Sequence, residues 1–387
     1  PVRRANQAAL HPVGVWCFGQ TGRKGELAIL QWLDLSKAPG TRIASKLRQG
    51  NSPTAQLVHQ PTAQPSCQSL TARLSPTNRP PLREPPPYDP SMTSLLITQG
   101  RVIDPVSGFD TIADIAIENG RITRIEASPS SKKTPRNDAD RVIDASGCIV
   151  TPGLIDPHVH LREPGQEHKE TIATGSRAAV AGGFTTICCM PNTSPTIDSP
   201  EIVRFVLDRA CEQAVCRVFP VAAATRSRAG VEPTEFGLLA KAGAVAFSDD
   251  GDVVADAGVM VRIMRELAPL DAVFMQHCQE PTLTRGASMH AGAISTKLGL
   301  VGWPRMAEEI IIARDIRLVQ ETGCRYHIQH ISSGGSVELV RRARAAGLPV
   351  SAEASPHHLT LTDAACDGYN TLAKMNPSLR EQADIDA

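Results

Sequence analysis

The sequence predicts an α/β protein: a (β/α)8 TIM-like barrel, preceded by a small β-sandwich domain and by a disordered amino-terminal tail. Three observations lead to this fold class. Beyond residue 147, short apolar runs alternate with stretches of helical period, which is typical of βα units around a parallel sheet. Residues 92–150 contain β-type runs broken by turn residues, and residues 1–91 show no sustained period of 2 or 3.6. We therefore divide the chain into 1–91, 92–150 and 151–387.

The first segment, 1–91, differs from the rest in composition. It holds 11 Lys+Arg, 4 Asp+Glu and 13 of the 30 prolines, whereas 92–387 holds the remaining 29 Lys+Arg and 36 Asp+Glu. A proline-rich chain with little apolar content cannot offset the entropy lost on ordering, so we expect disorder or an extension foreign to the native protein. A basic nucleic-acid arm and an organellar transit peptide remain open as alternatives.

The second segment, 92–150, predicts a small β unit. Turn signals separate its strands, and Asn119-Gly120 is a strong hairpin signal because both residues tolerate positive φ. The predicted strands are Leu95–Thr98, Arg101–Ile103, Ile112–Ile117, Arg121–Ile125 and Arg141–Ile143.

The third segment carries the alternating pattern of the barrel. The predicted strands are Cys148–Ile155, Thr185–Met190, Arg217–Ala223, Ala244–Phe247, Ala272–Gln276, Arg325–Gln329 and Pro349–Glu353. The predicted helices are Glu170–Ala181, Pro200–Gln213, Thr234–Ala242, Ala255–Leu267, Met306–Glu321 and Ser336–Ala346. No glycine-rich dinucleotide turn follows the first strand, which favours a barrel over a doubly wound open sheet. Seven strands then predict a barrel whose eighth strand is missing from this chain.

Composition excludes several classes of function. Forty Lys+Arg balance forty Asp+Glu, so the chain lacks the basic field of a nucleic-acid-binding protein. No apolar run reaches the roughly 18–20 residues of a membrane span. Ten scattered cysteines without a short-spaced framework indicate reduced thiols and a cytoplasmic protein.

Polar side chains follow the predicted barrel strands where an active site would lie. His158 and His160, at i and i+2, project from the same side of the first strand and can bind one metal ion. Asp250 follows the fourth strand, His277 the fifth, and His330 the sixth. Because parallel strands end at one rim of a barrel, these donors predict a two-metal hydrolytic centre with a bridging hydroxide as nucleophile.

The remaining histidines and one cysteine receive other interpretations. Strand alternation turns Cys278 away from His277, so we expect a packed thiol, and it likewise directs His327 away from the site. We expect His357 and His358 to support the metal ligands from behind or to have structural roles, and we expect His168 and His290 to be solvated surface residues.

Several motifs resemble the signature of dihydroorotases within the cyclic amidohydrolase superfamily, and the likeness covers about 92–380. The segments that carry it are 152–165 (PGLIDPHVHLREPG), 190–193 (MPNT), 247–251 (FSDDG), 326–332 (YHIQHIS), 354–359 (ASPHHL) and 374–380 (KMNPSLR). The resemblance implies a TIM-like metal-dependent hydrolase barrel. It also implies reversible cyclisation of N-carbamoyl-L-aspartate to L-dihydroorotate, the third step of pyrimidine synthesis.

The resemblance assigns roles to individual residues. It makes His158 and His160 ligands of a first zinc ion and Asp250 a bridge, in the bacterial manner in which aspartate replaces a carboxylated lysine. It makes His277 and His330 ligands of a second zinc ion, so two zinc ions per subunit are expected. Four residues would bind the small-molecule substrate: His160, Arg162, Asn192 and Asn376.

The resemblance also predicts an aspartate at the end of strand eight that ligates the first zinc and moves a proton. The expected motif, Asp-His-Ala-Pro-His, does not occur before Ala387, so the catalytic residue is expected beyond Ala387. We interpret the sequence as a truncated dihydroorotase. A chain that ends at Ala387 is expected to aggregate or to lack turnover, because strands one and seven would keep unpaired edges.

Two alternatives remain open. An allantoinase or hydantoinase would share the barrel, but hydantoinases usually bridge their metals with a carboxylated lysine where this chain has Asp250. A non-catalytic dihydroorotase-like partner of aspartate carbamoyltransferase typically lacks metal histidines, and all four are present here. The resemblance leaves a homodimer or a complex with that transferase possible, and it implies neither nucleic-acid nor membrane partners.

Overall fold

The computed structural model describes residues 94–127 and 139–387, together with the backbone of two earlier strands. These strands are Val13–Gln20 and Leu27–Leu30, and the first pairs antiparallel with Ile149–Pro152. Both strands lie within the segment 1–91 that the sequence analysis set apart from the folded units. The rest of the predicted disordered tail lies outside the described residues.

The strands are numbered in chain order. They are β1 Val13–Gln20, β2 Leu27–Leu30, β3 Ser94–Asp104, β4 Phe109–Glu118, β5 Arg121–Ala127, β6 Arg141–Asp144, β7 Ile149–Pro152, β8 Leu154–Val159, β9 Phe184–Cys189, β10 Arg217–Ala222, β11 Ala246–Ser248, β12 Val273–Gln276, β13 Met289–His290, β14 Gly302–Trp303, β15 Arg325–Ile328 and β16 Val350–Ala352.

The α-helices are numbered in the same way. They are α1 Ile172–Ala181, α2 Pro200–Gln213, α3 Phe236–Ala242, α4 Ala257–Leu267, α5 Pro281–Thr284, α6 Ala293–Leu298, α7 Met306–Thr322, α8 Gly334–Ala345, α9 Pro356–Thr360 and α10 Gln382–Asp386. Each helix within the described residues is too short or too polar to cross a membrane.

The small sheet has the order β2-β1-β7-β3-β4-β5, with β6 also paired to β3. The two strands predicted at 95–98 and 101–103 form one strand, because a bulge between Ile97 and Gly100 absorbs the irregularity. Gly100 is required there, since a Cβ would lie 2.5 Å from Cγ2 of Val150. The hairpin predicted at Asn119-Gly120 is confirmed, with φ of 48° and 73° at these two residues.

The larger sheet contains seven parallel strands in the order β16-β15-β12-β11-β10-β9-β8, as a barrel requires. Each predicted barrel helix is present as α1, α2, α3, α4, α7 and α8. The strand predicted at Cys148–Ile155 is two strands: β7 pairs with β3 in the small sheet and β8 with β9 in the barrel. Gly153 separates them, and it packs so closely that a Cβ would lie 2.1 Å from Oγ1 of Thr185.

The barrel is held together mainly by aliphatic side chains, in a chain of which aromatic residues make up only 4%. The main core lies between strands and helices and includes Ile172, Ile187, Val206, Leu239 and Ile263, all fully buried. A smaller cluster of Met190, Val221, Ala246 and Met275 belongs to four of the barrel strands and their ends. This packing holds the strands rigidly, so the residues at their carboxyl ends keep fixed relative positions.

Candidate metal centre

The five predicted metal ligands converge at the carboxyl ends of the barrel strands. Nε2 of His158 lies 3.3 Å from Oδ1 of Asp250, and Nε2 of His160 lies 3.4 Å from Oδ2. Nε2 of His330 and Nδ1 of His277 lie 3.6 Å and 3.9 Å from Oδ1 of the same carboxylate. Residues up to 172 positions apart in the chain (158 and 330) therefore meet around one carboxylate.

Strand alternation decides which of two adjacent aspartates enters this cluster. Asp249 accepts hydrogen bonds from the backbone amides of Ala224 and Thr225, both at 2.9 Å, so it anchors the loop after β10. Asp250 faces the opposite way and reaches the histidines, while its backbone amide donates to Oγ of Ser248 at 3.0 Å. The choice of Asp250 in the sequence analysis agrees with this geometry.

The carboxylate of Asp250 is suited to a cation. Its residue is 2% exposed, and Oδ1 is a buried atom without a hydrogen-bond partner among the described residues. A buried carboxylate oxygen that lacks a partner is costly unless a cation or donor satisfies it. The donor atoms fall into two groups, each within 4.8 Å, that share Asp250: His158 with His160, and His277 with His330. Such a donor set fits two divalent ions bridged by one carboxylate.

Oxygen acceptors orient the imidazoles of the first group. Oδ1 of Asn192 lies 3.0 Å from Nδ1 of His160, and Nδ1 of His158 hydrogen-bonds to Oε1 of Glu353. Each acceptor holds a proton on Nδ1 and leaves the Nε2 lone pair directed at Asp250, which is the arrangement of a metal-binding histidine. Glu353, at the end of the seventh barrel strand, was predicted only as a strand residue. The sequence feature that could have identified Glu353 is its position at the end of a predicted barrel strand, since carboxylates that follow barrel strands lie at the functional rim.

The protonation states suit a cation-binding site. Burial disfavours the charged carboxylate of Asp250, but the neighbouring His158 and His330 outweigh burial and hold its pKa well below the usual value. Burial opposes the charged form of His158, yet the neighbouring carboxylates of Asp250 and Glu353 raise its pKa to about 10. Burial lowers the pKa of His330 to about 4 and also lowers that of His160. In the metal-free protein the carboxylates of Asp250 and Glu353 thus stabilise a positive charge on His158, and a divalent cation bound at Nε2 would displace that proton.

The predicted substrate-binding residues are only partly assembled. The charge of Arg162 is close enough to lower the pKa of His160, after the larger effect of burial, and its guanidinium forms no ion pair with a described residue. Asn192 lies at the centre, where its Nδ2 donates to Oδ2 of Asp250 at 3.4 Å. Asn376 is exposed, and no described hydrogen bond joins it to the five ligands. The Nε2 atom of His358 hydrogen-bonds to the carbonyl of Pro377 at 2.9 Å, which supports a structural role for that histidine.

The other predictions for histidine and cysteine have mixed outcomes. Cys278 is buried, and its Sγ lies 3.4 Å from the hydroxyl of Tyr326, so the packed thiol is confirmed. His168 is exposed, as predicted. His327 does not lie apart from the site, because its Nε2 is 3.2 Å from Oε2 of Glu353. The carboxylate at the end of the next strand reaches both His327 and His158, and strand alternation alone could not reveal this connection.

The prediction that His290 is a surface residue is wrong. His290 is 1% exposed, because Arg380 packs against it with Nη1 3.2 Å from its Nδ1. With Asp363 and Glu381 it forms a third group of potential metal ligands. Arg305 pairs with Glu381 at 2.7 Å, so two guanidinium groups lie beside these donors. This charge environment disfavours a cation, in contrast to the group around Asp250.

Comparison with known proteins gives consistent relatives. The sequence profile of the family described as "Dihydro-orotase-like" matches residues 147–336. The chain is 49% identical over 294 residues to a dihydroorotase of Pelotomaculum thermopropionicum and 47% identical over 293 residues to one of Solibacter usitatus. Each match covers 76% of this chain and 67% of the relative.

Solved structures share the fold. An L-hydantoinase (dihydropyrimidinase) from Arthrobacter aurescens is similar with a TM-score of 0.65 and 24% identity, and a D-hydantoinase from Thermus sp. with 0.58 and 25%. Both matches cover 76% of this chain and 65% of the other chain. The chain thus spans about two thirds of the length of the proteins it resembles, and the hydantoinases support the barrel fold.

Proposed function

The chain belongs to the dihydroorotase family of metal-dependent cyclic amidohydrolases, and on this basis we propose that the whole protein interconverts N-carbamoyl-L-aspartate and L-dihydroorotate. The geometry of the Asp250 cluster is the observation that carries the proposal. Four imidazoles and one carboxylate converge at the rim where barrel enzymes hold their active sites. The identity of 44–49% to several dihydroorotases supports the substrate.

We assign the ligands as the two groups around Asp250 suggest. His158 and His160 would hold a first zinc ion, His277 and His330 a second, and Asp250 both. Zinc is the expected metal because imidazole and carboxylate donors without thiolate suit it. When bound, the metals lower the pKa of water and polarise the carbonyl that is attacked.

The chain's own residues orient the substrate in this proposal. The positive charge of Arg162 acts on His160 and forms no ion pair with a described residue, so it can receive the substrate carboxylate bidentately. Asn192 would bind the substrate while it holds His160. Asn376, which is exposed in the loop beside Pro377, would contact the substrate from that loop. We also propose that a domain boundary lies at about residue 150. His160 is proposed to contact the substrate in addition to binding metal.

Two alternative functions predict different outcomes of the experiment described below. A hydantoinase would share the fold, and a non-catalytic partner of aspartate carbamoyltransferase would share the sequence family. The four histidines directed at Asp250 argue against loss of metal binding. Because the proposed substrate is a pyrimidine precursor, we further propose a cytoplasmic location. As partners we propose either a second copy of the chain, in a homodimer, or that transferase.

The test is a comparison of substrates with the purified whole protein. Its metal content is measured by mass spectrometry, and its hydrolysis of L-dihydroorotate, hydantoin and allantoin is compared under the same conditions. We expect about two zinc ions per chain and turnover of dihydroorotate well above that of the other rings. Faster turnover of hydantoin would replace the proposed substrate, and the absence of both metal and turnover would indicate the non-catalytic partner.

A further inference from the structure

We propose that Gln279, held by Thr284, is a positioning residue that fixes the tautomer of His277 and so prepares Nδ1 of this histidine for the second metal ion. The inference rests on the proposed metal centre. It concerns a residue of the loop after the fifth barrel strand to which the sequence pattern assigned no role. Gln279 is half-buried beside His277, which is 2% exposed.

His277 differs from the first pair of histidines in the nitrogen that it presents. Its Nδ1 faces Asp250 and lies 2.8 Å from Nε2 of His330. Its Nε2 points the other way, to Oε1 of Gln279 at 2.8 Å. A metal ion between His277 and His330 needs a lone pair on Nδ1, and the neutral ring has this lone pair only when its proton is on Nε2.

The hydrogen bonds around Thr284 decide where that proton lies. Thr284 is the last residue of α5, and its hydroxyl donates to the carbonyl of Glu280 at 3.1 Å. A hydroxyl has one proton, so Oγ1 offers only a lone pair to the Gln279 amide 2.8 Å away. The group of Gln279 that faces Thr284 is therefore its NH2. Its carbonyl oxygen then faces His277, and this oxygen can only accept a proton from Nε2.

The chain of donors consequently runs in one direction. From His277 to Gln279, from Gln279 to Thr284 and from Thr284 to the Glu280 carbonyl, each group donates to the next. Thr284 is 6% exposed, so water cannot readily take its place. If the acceptor on Nε2 is lost, the ring can carry its proton on Nδ1, where an N–H would face the metal position. Outer partners of metal-binding histidines typically contribute 10–100-fold to metal affinity.

Paired variants of the whole protein test this role by metal binding rather than by turnover. Metal-free protein is titrated with Co²⁺ against a chromophoric chelator, which resolves two binding steps, and the visible bands report the ligand geometry. Gln279→Leu should weaken one of the two steps about 10–100-fold and leave the other unchanged. Gln279→Glu keeps the acceptor and should restore binding.

Two further variants address the orientation of the amide. Thr284→Val removes the hydroxyl at similar volume, frees the amide of Gln279 to turn, and should weaken the same step by a smaller factor. Thr284→Ser should bind as the wild type does. Gln320→Leu, at an exposed position on α7, is the matched control for loss of a glutamine. Thermal unfolding of each metal-free variant separates folding defects from metal binding.

The outcomes distinguish the inference from the proposed function. If the wild type binds Co²⁺ in two steps and Gln279→Leu does so with unchanged affinities, the positioning role is refuted. If Gln279→Leu does not fold, unchanged binding by Thr284→Val refutes it instead. If the wild type binds no Co²⁺, the metal centre itself is wrong.

Discussion

The substitution Glu353→Gln tests how the first metal position is built. The carboxylate of Glu353 contacts Nδ1 of His158 and lies 3.2 Å from Nε2 of His327. Burial would favour its neutral form, but hydrogen bonds from these two histidines lower its pKa to about 2, so it is ionised at neutral pH. Glutamine keeps the shape and one acceptor oxygen and removes this charge.

The expected loss of metal affinity follows from the contact between Glu353 and His158. The Glu353 side chain is 18% exposed, so solvent screens the charge only in part. An outer carboxylate on a metal-binding histidine contributes about 10–100-fold, or about 1.4–2.8 kcal/mol of metal-binding free energy. We expect Glu353→Gln to weaken the metal step at His158 and His160 by such a factor. The step at His277 and His330 should stay within about threefold, because its outer acceptor is the amide of Gln279.

The assay is the two-step Co²⁺ titration of the whole protein, read with the Gln279→Leu variant in parallel. Glu353→Gln and Gln279→Leu should each weaken a different step. Glu338→Gln is the matched control, since this exposed carboxylate pairs only with Arg341 and Arg342 among the described residues. Unchanged affinity in Glu353→Gln, or weakening of the same step in both variants, would refute the reasoning about the outer carboxylate.

Three further predictions concern Asp250, Arg162 and His358. Asp250→Asn should remove metal from both positions, because its carboxylate contacts all four imidazoles; retention of two metals by mass spectrometry would contradict the bridging role. Arg162→Met should raise KM for dihydroorotate at least tenfold with unchanged metal content, and an unchanged KM would remove Arg162 from the substrate site. Burial lowers the pKa of His358 to about 4, so between pH 6.5 and 4 the unfolded chain binds a proton that the folded chain does not, and stability falls as pH falls. The loss is up to ~3 kcal/mol, and His358→Gln should flatten the dependence of the urea midpoint on pH; an equally steep dependence in the variant would show that His358 is not its source.

The elements that sequence predicted well depend on local physics. The hairpin at Asn119-Gly120 follows from two residues that tolerate positive φ, and the barrel helices follow from their apolar period. His158 and His160 lie on one side of their strand because side chains alternate in any extended chain. These features need no knowledge of distant residues, and the structure contains them as predicted.

Tertiary structure decided what depends on distant partners. The predicted strand 148–155 divides at Gly153 because its two halves pair with different sheets, and His290 is buried because Arg380, ninety positions away, packs against it. Glu353 and Gln279 acquire their roles from imidazoles that other strands place beside them. Sequence alone thus determined which donors point toward the rim. Only packing decided which ring nitrogen of each histidine has a lone pair available to a metal ion, because the tautomer depends on a hydrogen bond to a neighbour that the local pattern does not specify.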